Sequence, residues 1–189
     1  MNKKTLTFGL SISLLFVFSS CDKDPVIPNE EELITTFSYT LTPVSTGEKV
    51  TLTFKDIDGD GGNAPVITYI GELKTGTTYN GELILLNDAE NPAENITEEI
   101  EEEDEDHQLF FAVSGGADGK LLISYDDKDA NNQPVGLKTK VTTTGSGTGK
   151  LKITLRHLPD KSASGVSSGD ITNAGGETDI EVNFDIVIK

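Results

Sequence analysis

Two stretches of this sequence and a pair of histidines have the residue types and spacings to hold a cation. The first stretch, Asp56-Ile57-Asp58-Gly59-Asp60-Gly61-Gly62-Asn63, alternates carboxylates through a glycine-rich run. Several oxygens can turn inward together in such a run, which is what a hard ion such as calcium requires. Asp at the first, third and fifth positions and Gly at the sixth match the start of a helix-loop-helix calcium loop. The twelfth position is Ile67 instead of the bidentate Glu. The expectation is therefore either a looser calcium turn at Asp56, Asp58 and Asp60 or a solvated strand connection, since Asp and Gly favour tight turns in any case. Asp127, Asp129 and Asn131 echo the pattern weakly, with Asn132 where the glycine would stand.

The second stretch is an acidic run: residues 98–106 hold eight acids and one apolar residue, Ile100. If the run is helical, Glu99, Glu103 and His107 lie four residues apart on one face and offer two carboxylates and an imidazole to a divalent metal. So many carboxylates around His107 should favour its protonated form, which a metal would have to displace. The same residues read equally as a solvated acidic face closed by a cation at the helix C-terminus. The remaining histidine, His157, lies in Arg156-His157-Leu158-Pro159-Asp160-Lys161 at the end of an expected strand. Were the fold to bring it to His107, a two-histidine, carboxylate-supported zinc or copper site would result. Spacing alone does not bring them together.

The elements that must position these groups are mostly strands. Apolar and polar residues alternate, with many β-branched side chains, at Phe37–Leu41, Val50–Phe54, Val66–Ile70, Tyr79–Leu86, Leu109–Ser114, Lys120–Tyr125, Leu137–Thr144, Leu151–Leu155 and Asp179–Ile188. Period two with turn residues between the runs predicts an antiparallel β-sandwich of immunoglobulin or transthyretin type over residues 33–189. One helix is expected from about Pro92 to His107. Asn91 would be its cap, Pro92 would sit in its first turn, and Ala93, Ile96 and Ile100 would form its thin apolar stripe.

Charge narrows the function classes. The formal net charge is −17, and removal of Lys3 and Lys4 with an export segment takes it to −19 (−17 − 2). Nucleic-acid binding, which needs basic patches to displace phosphate counterions, is disfavoured, and so is adhesion to anionic lipid. An acidic surface attracts cations and also keeps a protein soluble.

Lys3 and Lys4 followed by the interrupted apolar stretch Leu6–Phe18 have the layout of an export signal and are too short for a spanning helix. Phe18-Ser19-Ser20-Cys21 resembles the lipobox of bacterial lipoproteins, with Phe18 where leucine is usual. The resemblance implies cleavage after residue 20 and lipid on Cys21, hence an outer-membrane lipoprotein, periplasmic or surface-exposed, held by its acyl chains. Cys21 is the single cysteine, so the mature domain has no disulfide framework. Residues 21–32, acidic and interrupted by Pro25 and Pro28, read as a tether.

The stretches running from TTYNGELILLNDAENPAENITEEIEEEDEDHQLFF, with DIDGDGGNAP, RHLPDK and GDITNAGGETDIEVNF, resemble a family of short Bacteroidota lipoproteins labelled type 1 periplasmic-binding-fold proteins. The label implies small-ligand binding between two α/β lobes, whereas the strand pattern implies one sandwich. No nucleophile elbow, zinc-protease helix or phosphate loop is found; Gly145-Ser146-Gly147-Thr148-Gly149-Lys150 lacks the phosphate-loop spacing and reads as a hairpin turn. The expected function is thus capture of a divalent cation or small ligand, without catalysis, in the service of an outer-membrane transporter. The competing expectation is a structural or adhesive sandwich with at most a structural calcium.

Overall fold

A computed structural model describes residues 33–59 and 62–189. Cys21, the segments expected to serve as export signal and tether, and Asp60 lie outside the described residues. Among the described residues nine strands and one α-helix occur in the order β1 Thr36–Pro43, β2 Val50–Lys55, β3 Val66–Ile70, β4 Thr78–Leu86, α1 Ile96–Glu102, β5 His107–Gly115, β6 Leu121–Tyr125, β7 Lys138–Thr143, β8 Gly147–His157 and β9 Glu177–Ile188. Two short 3-10 turns, Val166–Ser168 and Ile171–Asn173, precede β9. The ladders between neighbouring strands are antiparallel, in one sheet of order β3-β2-β1-β4-β7-β6 and a second of order β5-β8-β9.

The fold is the expected all-β, sandwich-like one. The two α/β lobes implied by the family label do not occur among the described residues, where α1 is the single α-helix. That helix is also too short and too acidic to cross a membrane.

The alternation seen in the sequence is what separates core from solvent. Phe37, Tyr39 and Leu41 on β1 and Val50 and Leu52 on β2 point inward, and so do Leu109 on β5, Leu151, Ile153 and Leu155 on β8, and Val182, Phe184 and Ile186 on β9. The rings of Phe37 and Phe184 meet at 6.4 Å between centroids and those of Tyr39 and Phe111 at 5.9 Å, joining strands of the two sheets. Tyr39 and Thr139 share a buried hydroxyl hydrogen bond of 2.6 Å. Gly81 on β4 makes room for it, because a Cβ there would fall on both side chains.

Two expectations about the helix fail. Asn91 and Pro92 do not start it: the backbone of Asn87 and Glu94 exchanges two hydrogen bonds, N–H to carbonyl at 3.0 and 3.1 Å, and closes residues 88–93 into a loop. The helix begins only at Ile96, with Asn95 as the residue before it. It also stops five residues short of His107. A run of acids at a helix C-terminus is repelled by the dipole and by like charges four residues apart, so helical propagation ends at Glu102 and the chain turns. The buried residues of α1 are Ile96 and Ile100, while Ala93 is exposed outside it. The run 145–150 is only partly a turn, since β8 already begins at Gly147.

Candidate metal centre

His107 is the first residue of β5, not the last of a helix, and this brings it to His157. β5 and β8 pair with His107 opposite His157. The Leu158 N–H donates to the Asp106 carbonyl at 2.7 Å, one residue beyond the pair on each strand. The two histidines therefore form a non-hydrogen-bonded cross-strand pair, the class with the closer side chains. Their rings stack at 4.6 Å between centroids and 17° between planes. Both are buried, at 0 % and 8 % exposure, and both continue the inward rows of Leu109 and Phe111 on β5 and of Ile153 and Leu155 on β8. The pair thus lies at the end of the hydrophobic core.

The acidic turn after α1 completes the group. Glu103 is the C-terminal cap of the helix, its N–H bound to the Glu99 carbonyl, and its own carbonyl accepts from the Asp106 N–H at 2.9 Å. His107 Nδ1 lies 3.0 Å from the same carbonyl. A carbonyl only accepts, so Nδ1 carries the hydrogen and in the neutral ring Nε2 is the lone-pair nitrogen, a tautomer in which a metal-ligating imidazole is often held. One ligand atom from each of Glu103, His107 and His157 lies within 4.8 Å of the other two. A zinc ion with bonds of about 2.0–2.1 Å needs donors roughly 3.4 Å apart. Donors spread over as much as 4.8 Å would have to draw closer to hold such an ion.

Electrostatics reverse one expectation. Burial pushes the His107 imidazole below its usual range, and the Glu103 carbonyl and nearby carboxylates pull upward without overcoming it, while His157 adds a downward push. Loss of water outweighs acids that remain solvated, so the neutral, ligand-competent form is favoured. The partly buried Glu99 shows the opposite effect. Burial first, and then Glu94, Glu103 and Glu102, hold its carboxyl above the ordinary value. Glu99 is not in the convergent group; its place is taken by the second histidine.

Several features lock the end of β8. Leu158, exposed and followed by a proline, sits at φ 50°, a left-handed conformation uncommon for a branched residue, and from there donates to Asp106. Gly176, at φ 67°, packs its Cα against the His157 carbonyl and Leu158 so closely that a Cβ would overlap them. The Arg156 guanidinium ties the same turn to β8 by donating to the carbonyls of Gly175 and Gly176 and to the Thr178 hydroxyl. Register slips between Leu155 and Arg156, leaving Asp179 as an extra residue on β9. Bulges of this kind re-aim side chains beside functional sites.

In the aspartate-rich turns the carboxylates of Asp58, Asp127 and Asp129 are engaged by hydrogen bonds within the chain. Asp58 Oδ2 accepts from the Asn63 backbone N–H at 2.9 Å and from Asn63 Nδ2 at 2.7 Å, and these bonds hold its carboxyl below the ordinary range. Asp56 caps the entry through its N–H, bound to the Thr35 carbonyl at 2.7 Å. In the other turn Asp127 accepts from the N–H groups of Gly136 and Lys138, both at 2.8 Å. Asp129 Oδ1 accepts from those of Asn131 and Gln133 at 2.9 and 2.8 Å. Asp129 Oδ2 pairs with the Lys161 ammonium at 2.9 Å, both side chains being almost wholly buried. Here the cation is part of the chain. Sequence reasoning passed over Lys161, which carried no signal beyond standing four residues after His157.

No protein-family model, curated protein or solved structure matches this chain.

Proposed function

We propose that this is a lipid-anchored domain that binds a divalent transition-metal ion, zinc or copper, through Glu103, His107 and His157. The carrying observation is the direct cross-strand pairing of the two histidines, with the Glu103 ligand atom in reach of both. Two imidazoles and one carboxylate suit zinc or copper and fall far short of the six to eight oxygens that calcium takes. Three protein ligands leave a fourth position for water or for a donor on a receiving molecule, which suits loading and release. The acidic residues Asp104, Glu105 and Asp106 beside the group concentrate cations near it. Lipid on Cys21 would keep the domain at the outer membrane, in the periplasm or at the surface, where an outer-membrane transporter is the natural partner. The turn at Asp56 and Asp58 lends the calcium reading less support, because Asp58 is engaged by Asn63.

The test is calorimetric titration of residues 22–189 with zinc, copper and calcium at moderate salt. The expected result is one zinc or copper ion per chain, with affinity falling more than about 100-fold in His107→Ala and His157→Ala, beyond what loss of an outer-shell partner costs. Binding of calcium alone, or of no ion at saturation, would overturn the proposal.

A further inference from the structure

The turn that carries Glu103 is pinned at three backbone carbonyls. The Glu103 carbonyl receives His107 Nδ1 and the Asp106 carbonyl receives the Leu158 N–H. The first of those donors is an imidazole of the pair and the second is the backbone beside the other, so both come from the paired strands themselves. The third bond is independent. Lys161 Nζ reaches the Asp104 carbonyl at 2.5 Å, from a loop that follows β8, and is anchored in turn by Asp129 Oδ2 at 2.9 Å.

Lys161 is buried to 7 % exposure and Asp129 also to 7 %, so the link is shielded from water and cannot be replaced by it cheaply. Asp129 is itself fixed by the N–H groups of Asn131 and Gln133. A chain of bonds therefore runs from the rigid 129–133 turn through an ammonium to the backbone next to a candidate ligand. The carboxylate also cancels the ammonium's charge, which would otherwise repel a cation held at Glu103.

We propose that Lys161, held by Asp129, is a positioning residue for the metal centre: it fixes the 103–106 turn so that Glu103 faces the paired histidines. This rests on the metal-binding reading above. It is an arrangement in which a neutral buried ion pair sets the geometry of a ligand it does not touch.

The experiment uses residues 22–189, which include the whole compact unit Glu31–Lys189. Because a single substitution would strand a buried charge and endanger folding, two paired substitutions are compared with the parent chain. Lys161→Met with Asp129→Leu removes the link and fills its volume. Lys161→Gln with Asp129→Asn removes the charges but keeps an amide able to donate to the Asp104 carbonyl. Zinc affinity is read by competition with a chromophoric chelator, and coordination by the visible spectrum of the cobalt(II) form.

The expected result is a loss of zinc affinity of about 10-fold or more in the Met/Leu chain, the range for an outer-shell partner, with a weaker cobalt band. Most of both should be recovered in the Gln/Asn chain. Equal zinc affinity and an unchanged cobalt spectrum in the Met/Leu chain would overturn the positioning role while leaving the metal site standing. Equal losses in the two paired variants would also overturn it, since the bond to Asp104 would then not be what matters. Absence of zinc uptake by the parent chain would overturn the metal reading and this inference with it.

Discussion

The turns Asp56–Asn63 and Asp127–Gln133 carry similar alternations of Asp and Asn, yet they are built for different surroundings. In the first, the exposed Asp58 accepts two hydrogen bonds from Asn63. In the second, Asp129 is buried, satisfied on one oxygen by two backbone N–H groups and on the other by the Lys161 ammonium. The difference teaches that a pattern of carboxylates does not by itself specify a metal site. Where the turn is buried, the chain has supplied its own cation; where it is exposed, the backbone and side chain of Asn63 engage the carboxylate. Among the described residues, the donors that converge without a lysine among them are the two imidazoles and Glu103.

Substitutions can break this comparison. The largest effect should follow from Lys161→Met alone or Asp129→Ala alone, each of which strands a buried charge and should cost about 3–5 kcal/mol in urea denaturation. A cost near zero would mean that the pair is solvated and the two turns are alike.

An intermediate effect should appear in acid. Burial pushes the Asp129 carboxyl upward, but Lys161 and the N–H groups of Gln133 and Asn131 outweigh it and hold it below its ordinary 3.8. The unfolded chain therefore takes up this proton first as pH falls. The stabilisation is whole above about pH 3.8 and drains away as pH drops through the lower, folded value. Unfolding free energies measured from about pH 5 to pH 2 should fall more steeply for the parent than for the Lys161→Met/Asp129→Leu chain, and parallel curves would count against the pair.

The smallest effect is expected from Asp58→Asn. An exposed turn residue should change stability by less than about 0.5 kcal/mol and leave zinc binding untouched. A loss of zinc affinity there would relocate the site.

The strands were legible because one face of each is buried, and a period of two survives in residues such as Phe37, Tyr39 and Leu41 whatever the sheet order. The helix was misjudged because local cap signals at Asn91 and Pro92 competed with a non-local fact, the two backbone bonds between Asn87 and Glu94. The histidine pair was half legible. Each residue stood out, but fifty positions separate them in the chain, and only the choice of β8 as the neighbour of β5 unites them. Aligning Leu109, Phe111 and Val113 against Leu155, Ile153 and Leu151 would have set His107 opposite His157, yet nothing local selects that partner strand among eight. The lysine that holds the turn is less legible still, since its role depends on burial and on a carbonyl fifty-seven residues away.

The pairing of β5 with β8 has one more consequence, for how such a centre can be lost. His107 shares its parity with Leu109, Phe111 and Val113, and His157 shares its own with Leu155, Ile153 and Leu151, so imidazoles and core side chains occupy the same rows. Loss or gain of one residue in β8 ahead of Leu151 would turn out the His157 imidazole and the core side chains together. A change of that kind is opposed by the demands of folding whatever becomes of the imidazole. Point substitution of a histidine, by contrast, leaves both rows in register and alters the imidazole pair alone.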